Sequence, residues 1–400
     1  MSEQSAVGQV VGPLEVGPVA HGGHWVARWE GRVIFVRHTL PGELVRVRIT
    51  DDTHARFWRG DAVEVITPAA DRITPQCPIS GPGGCGGCDF QHVSPAGQRE
   101  LKRTVVAEQL QRLASLDWDG EVEEVPLPGP GADGVAADAD DGVGDVPAWR
   151  TRMRYFADTQ GNWGLRAHRS HTVVPLPDQG CAIAAVPAPD PGTGAVADVV
   201  VDGFGDQHLI MDAEPMGSGA DLVQIAGGIE FEVPVDGFWQ VHPRAADVLA
   251  GAVLDGLEPR AGEQGFDLYC GVGLFAAALA GECVRMWGVE SGRAAVRCAR
   301  RNVPGARFTA GQVGKVLHGL PKRTDLIVLD PPRQGAGKDV IRQVLARRPR
   351  AIAYVACDPA ALARDLGTAR EAGWEVVELR AFDLFPMTHH VECVAILAQR

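Results

Sequence analysis

Four hundred residues exceed what one small fold holds on a rough scale of about 150 per domain, so at least two separate cores are expected. The chain is 45% hydrophobic and 22% charged with 49 Gly and 28 Pro, which excludes a collagen-like or wholly disordered polymer and predicts many turns. No run approaches the roughly 18 uninterrupted apolar residues of a membrane helix, and residues 1–10 carry neither a basic start nor an apolar stretch, so the chain reads as cytoplasmic with no membrane partner. The net charge of −13 argues at first against nucleic acid, yet residues 121–146 alone hold eight Asp and Glu and no Lys or Arg. That Gly-, Pro- and Asp-rich segment reads as a flexible acidic insertion.

Taken in chain order, β-like runs at 31–40, 43–50 and 61–67, separated by Gly, Pro and Asp turns, predict a small antiparallel barrel within residues 1–68. Seven arginines lie between Arg28 and Arg59, with His21, His24, Trp25, Trp29, Phe57 and Trp58 nearby. Such side chains suit RNA, since they pair with phosphates and stack on bases. Residues 95–117 place Leu101, Val105, Leu110 and Leu113 at helical spacing and predict an amphipathic helix. Residues 149–235 alternate and break often, which predicts a β-rich module and makes 69–235 a central domain. Over 236–400, helical stretches alternate with apolar strands at 265–269, 285–290, 325–330, 351–357 and 391–398, the rhythm of a doubly wound parallel sheet.

Several motifs carry chemistry. Cys77, Cys85 and Cys88 stand as C-x7-C-x2-C in a Gly-rich loop, and Cys181 is a fourth candidate; four thiolates suit a tetrahedral zinc or an iron–sulfur cluster, and spacing does not separate the two. Cys270, Cys283, Cys298 and Cys393 read as packing residues. In FDLYCGVGLF a strand ends in a turn where Gly271 and Gly273 allow close backbone approach to a ligand. The third glycine of the dinucleotide fingerprint is missing, but Glu290, 19 residues after Gly271, is placed to hold ribose hydroxyls, which points to an adenosine-type cofactor such as S-adenosylmethionine. Asp330-Pro-Pro-Arg333 makes a rigid turn that holds Asp330 and offers Arg333 to an anion or carbonyl, and Gln240 adds a polar group among aromatics.

Cys357 precedes Asp358, a natural N-cap, and Pro359, a natural first helical residue; the positive helix end would favour its thiolate, making it a nucleophile candidate. Glu392, just before the last strand, is a candidate general base. The adjacent His389 and His390 suggest metal, but neighbours on a strand face opposite ways. Arg293, Arg297, Arg300 and Arg301 share one side of a helix near 291–302, where a solvated face is favoured over a phosphate track.

DLYCGVG, LDPPR, the ACDP cysteine and the THHVE glutamate, in that order behind C-x7-C-x2-C and a barrel of the TRAM type, resemble the RNA uracil-C5 methyltransferases, which make 5-methyluridine in tRNA and large-subunit rRNA. The resemblance covers nearly the whole chain outside the acidic insertion. It implies a multidomain α/β protein: an OB-like TRAM barrel, a β-rich central domain and a C-terminal Rossmann-like class I methyltransferase domain. By the same resemblance Cys357 is the nucleophile and Glu392 the base. Gln240, Tyr269, Gly271, Gly273, Glu290 and Asp330 serve the cofactor or target base, and Cys77, Cys85, Cys88 and Cys181 hold a [4Fe-4S] cluster, with zinc the alternative. The implied partner is RNA, rRNA ahead of tRNA, for a monomeric enzyme. Where the family often carries Asn after the second glycine, this chain has Leu274. The rival readings are a C5-cytosine RNA methyltransferase, an amino-methyltransferase, and a non-catalytic RNA-binding or ribosome-assembly factor on the same fold.

Overall fold

The computed structural model describes residues 5–127, 148–190, 194–216, 221–282 and 284–399; most of the acidic insertion and Cys283 lie outside them. Strands β1 (Val10–Ala20), β2 (His24–Trp29), β3 (Arg32–Arg37), β4 (Leu44–Asp51) and β5 (Phe57–Thr67) close a barrel in the order β1-β2-β3-β5-β4. It is not the all-antiparallel barrel expected. β4 crosses to pair with β1, so β5 fills the gap beside β3 in the same direction, and β3–β5 is parallel while the other four pairings are antiparallel. Trp25, Ile34, Val36, Val45 and Val47 fill the interior, which removes Trp25 from any RNA-facing role. Trp29 and Trp58 pair at the rim, with the Arg32 guanidinium 4.3 Å from the Trp58 ring centre.

Next come α1 (Pro95–Ala114) and β6 (Val122–Glu124). Ser94 caps α1 by accepting from the Gly97 N–H. Ser115, in the left-handed conformation, donates to the Gln111 carbonyl while the Leu116 N–H donates to the Leu110 carbonyl, and the helix stops three residues short of the expected 117. The central sheet comprises β7 (Arg152–Ala157), β8 (Trp163–Arg166), β9 (Val173–Pro175), β10 (Val196–Val201), β11 (Gln207–Met211) and β12 (Glu214–Pro215), antiparallel throughout in the order β12-β11-β10-β7-β8-β9. A hairpin follows, β13 (Leu222–Ala226) and β14 (Ile229–Val233).

The C-terminal part runs α2 (Ala245–Leu257), β15 (Gln264–Leu268), α3 (Leu274–Gly281), β16 (Arg285–Glu290), α4 (Arg293–Asn302), β17 (Arg307–Ala310), α5 (Val313–Val316), β18 (Leu326–Leu329), α6 (Lys338–Leu345), β19 (Ala351–Ala356), α7 (Pro359–Glu371), β20 (Trp374–Asp383) and β21 (Glu392–Gln399). Its eight-stranded sheet has the order β17-β16-β15-β18-β19-β21-β20-β6. The first five are parallel, as a doubly wound sheet requires, but β21 runs antiparallel to both β19 and β20. The link from β20 to β21 is too short for a helical crossover, so only an antiparallel return is open to it.

Two apolar layers cover this sheet. Phe231, Leu249, Phe275 and Val296 belong to one, and Val106, Leu110, Val122, Leu362 and Trp374 to the other. Residues 106–124, which the sequence placed in the central domain, therefore pack with the C-terminal sheet, while Leu101 and Val105 at the start of α1 join the barrel core. The start of the acidic insertion is likewise a strand rather than a flexible segment: β6 buries Val122, and Arg380 grips the Glu123 carboxylate through two 2.8 Å bonds. Lys102 of α1 is buried with Asp383 of β20 at 2.5 Å, which fixes the helix to the sheet by charge as well as by packing. No helix among the described residues is long and apolar enough to cross a membrane.

Candidate active site

The parallel strands β15, β16, β18 and β19 deliver their C-terminal residues to one edge of the sheet, where ligands of open α/β folds bind. The turn after β15 bends sharply, with φ of +66° at Tyr269, +52° at Gly271 and +94° at Gly273. A Cβ built on Gly271 would meet nothing within 4 Å, so the backbone there faces open space. Glu290, at the end of β16, fixes the turn by accepting from the Gly271 N–H at 3.3 Å, the Gly292 N–H at 2.6 Å and the Ser291 hydroxyl at 2.9 Å. Leu274 packs into the apolar layer. Support for the turn comes instead from Asn302, which the sequence reading missed: it donates to the Val272 carbonyl at 2.9 Å and exchanges hydrogen bonds with the Glu232 backbone.

Asp267 was also missed. It is fully buried and accepts from the Ala276 N–H at 2.8 Å, while its second oxygen has no partner among the described residues; burial pushes its carboxyl up to about 8. Gln240 lies on a segment held by Arg152, which donates to the Val235 and Gly237 carbonyls, and by the Thr151 hydroxyl on the Val241 carbonyl. Its own amide bonds to no described residue.

Cys357 and Glu392 meet across the antiparallel ladder. Ala356 pairs with Cys393, so the next pair outward is Cys357 opposite Glu392. Burial raises the Cys357 thiol to about 12; the Glu392, Asp330 and Asp358 carboxyls add to the rise, and Arg333 opposes it. Burial also raises Glu392 well above the usual carboxylate range, with Asp330 adding to it and Arg333 opposing, and lifts Asp330 to about 7. The resting thiolate expected from the helix end is therefore corrected. Asp358 does cap α7, accepting from Ala361 at 2.7 Å with Pro359 in the first turn, but burial and the acidic neighbours outweigh the helix field, and the resting group is a thiol.

Residues 384–391 form a loop rather than a strand, so His389 and His390 lie side by side with ring centres 4.1 Å apart instead of facing opposite ways. His389 Nδ1 is 2.5 Å from Asp89 Oδ2, and His390 Nε2 is 3.3 Å from the Arg333 guanidinium. On α4 the basic face is partly committed to structure rather than left to solvent. Arg301 pairs with Asp221 and Glu232, and Arg300 donates to the Phe308 carbonyl at 2.9 Å.

Cys77, Cys85, Cys88 and Cys181 line one small pocket with Ile79, Ser80, Gln91 and Leu165, all four as free thiols. Gln91 accepts from the Cys77 N–H and donates to the Cys88 sulfur. Burial raises Cys85 to about 11 and Cys88 well above the usual thiol range, and the neighbouring sulfurs add to both. Among the described residues no three His, Cys, Asp or Glu side chains are gathered closely enough to hold one metal ion. The loop is pinned on two sides: Gly86 N–H donates to the Arg166 carbonyl at 3.0 Å, and the Asp89 and Phe90 N–H groups donate to the Met387 carbonyl at 3.0 and 2.9 Å. Cys270, Cys298 and Cys393 are buried in apolar layers, as packing residues should be.

Fold and site together define a methyltransferase of the Rossmann-like class with an added β-barrel. Residues 4–63 match the TRAM domain, 244–354 the methyltransferase small domain, and 322–400 the tRNA (uracil-5-)-methyltransferase family. An uncharacterised RNA methyltransferase of Streptomyces avermitilis is 47% identical over 96% of this chain and 97% of its own length. Another from Bifidobacterium longum is 35% identical over 94% of each. The tRNA (uracil-54, C5)-methyltransferase of Pyrococcus abyssi, solved with S-adenosyl-L-homocysteine, superposes with a TM-score of 0.71 over 96% of this chain and 99% of its own at 20% identity, which supports the shared fold. The chain belongs to the RNA methyltransferases of the uracil-5 family.

Proposed function

We propose that the protein transfers a methyl group from S-adenosylmethionine to C5 of a uracil in RNA, through a transient covalent bond between Cys357 and C6. The observation that carries this reading is the placement of Cys357 opposite Glu392 at the sheet edge where the glycine turn opens. Uracil C5 is too weak a nucleophile to take a methyl group unaided. Addition of the Cys357 sulfur to C6 moves the ring's π electrons onto C5 and O4 and makes C5 reactive. The Cys357 thiol gives up its proton to solvent as the sulfur attacks, and Arg333 is the cation that lowers the cost. Glu392, after releasing its own resting proton to solvent, removes the C5 proton as a carboxylate; the C5–C6 double bond re-forms and Cys357 leaves as the thiolate. A carboxyl held above its usual range is the stronger base once ionised.

The residues fit the cofactor. Gly271 leaves open space over the turn, Gly273 packs closely against Val303 and Phe308, Tyr269 and Glu290 flank the turn, and Asp267 and Asp330 place buried carboxyls at the same edge. S-adenosylmethionine, when bound, supplies an electrophilic methyl on a sulfonium. Gln240 and Asp330 are proposed to orient the base, and the target nucleotide must leave its stack to reach a group as buried as Glu392. Cys77, Cys85, Cys88 and Cys181 are proposed to hold a [4Fe-4S] cluster. The four sulfurs line one small pocket, which is what a shared metal centre requires, and a zinc ion is the alternative occupant.

The solved neighbour acts on tRNA by its name and the close relatives are named simply for RNA, so both pools need assay. RNA from a strain lacking the gene is incubated with the purified protein and S-adenosylmethionine, digested, and read by nucleoside mass spectrometry. New 5-methyluridine in rRNA or tRNA is expected. New 5-methylcytidine, or no methylated base in either pool, would overturn the proposal.

A further inference from the structure

Between β1 and β2, residues 21–23 carry the barrel to the nucleophile. His21 Nε2 lies 3.0 Å from Oδ2 of Asp358, the residue after Cys357, while Asp358 Oδ1 accepts the capping N–H of Ala361 at 2.7 Å. One carboxylate is thus held by its own helix and by a separate domain. Burial works against its charge, but the bonds from His21 and Ala361 prevail and keep it below the usual carboxylate range. A second contact fixes the turn: a Cβ on Gly23 would come within 3.1 Å of both Asp89 Cγ and His389 Cβ. A side chain there would crowd both and would have to adopt a φ of +73° that favours glycine. The turn is therefore pressed between the cysteine loop and the loop that leads into Glu392. The His21 side chain keeps 36% of its surface exposed, so the contact is a bond across a seam rather than core packing.

We propose that His21 is a positioning residue for methyl transfer: acting through Asp358, the barrel sets the Cys357 thiol for attack. The physical reason is local charge. An ionised carboxylate next to Cys357 opposes formation of its thiolate. A hydrogen bond from His21 draws that charge away from the sulfur and stops Asp358 Oδ2 from turning toward it. The barrel then completes the reaction site as well as extending the surface available to RNA.

This inference rests on the proposed role of Cys357, and the test separates the two. The full-length wild type, His21→Ala, His21→Gln, Asp358→Asn and the His21→Ala/Asp358→Asn double variant are compared on RNA from the deletion strain. Single-turnover methylation at saturating RNA and RNA binding by filter retention are both measured. His21→Ala is expected to slow methylation about tenfold, the size of one hydrogen bond to a charged group, with RNA affinity within about twofold of wild type. His21→Gln, which still offers an N–H, recovers most of the rate. In the Asp358→Asn background the cap survives but the charge is gone, so adding His21→Ala costs much less. An unchanged rate in His21→Ala, a loss confined to RNA affinity, fully additive losses in the double variant, or failure of His21→Ala to fold would each overturn the inference. If the wild type methylates no uridine, the proposed function fails before any variant is compared.

Discussion

At the scale of single residues, the proposed chemistry falls to two side chains, Cys357 and Glu392, that both rest in the protonated form. With the Cys357 thiol raised to about 12, its alkylation by iodoacetamide in the free protein should be slow at neutral pH and climb about tenfold per pH unit from 6 to 9 without a plateau. A plateau near pH 7, read by peptide mass spectrometry, would contradict the burial argument. Glu392→Gln should add to RNA and methylate it yet fail to release it, so a denaturation-resistant protein–RNA species accumulates on gels. Rapid turnover by that variant would remove Glu392 from the base role. Both residues were legible in the sequence because they sit at strand ends beside turn chemistry, ACDP and THHVE. Their protonation states were not, because burial and the Asp330, Glu392 and Arg333 neighbours come from strands far apart in the chain.

At the scale of elements, the glycine turn depends on a buried acid beneath it. The Asp267 carboxyl is raised from an ordinary value of 3.8 to about 8, so the folded protein binds this proton more tightly than the unfolded chain does. The stabilising contribution is full below pH 3.8 and is lost as pH rises to about 8. Asp267→Asn has no such loss and can still accept from Ala276. Its stability relative to wild type should therefore grow with pH across that window, by about 1.4 kcal/mol per unit at most, as read from urea melts. A constant difference from pH 4 to 8 would show that Asp267 is ionised in the fold.

The parallel strands were readable because each is a short apolar run closed by a turn signal. β1 was not, since Gly12, Pro13, Gly17 and Pro18 interrupt its pattern, and the strand accommodates them through register shifts between Val11 and Leu14 and between Val16 and Val19. β6 was hidden inside an acidic segment because three residues carry too little pattern, and only the edge of β20 gives them a partner.

At the scale of the whole molecule, the barrel, the cysteine loop and the sheet converge on one place. Asp89 follows Cys88 directly, and it bonds both Met387 through its backbone and His389 through its side chain. Loosening the cysteine loop should therefore be felt at Glu392. Anaerobically purified protein is expected to carry about four irons and equal sulfide. Cys88→Ser should lose them, melt at lower temperature and methylate more slowly, whereas stoichiometric zinc in the wild type would contradict the cluster. The sequence announced the cysteines by spacing, but nothing local in it could show that their loop braces the active-site loop some 300 residues away.

The central claim is the covalent bond to Cys357, and RNA containing 5-fluorouridine tests it most directly. Fluorine replaces the C5 proton that Glu392 would remove, so the reaction should stop after methyl transfer with the enzyme still attached. Peptide mapping of the trapped species, formed with S-adenosylmethionine present, should place the modified nucleotide on Cys357 and find no adduct in Cys357→Ala. An enzyme that methylates ordinary RNA but forms no adduct with the fluorinated substrate, or forms one on another residue, would contradict the account.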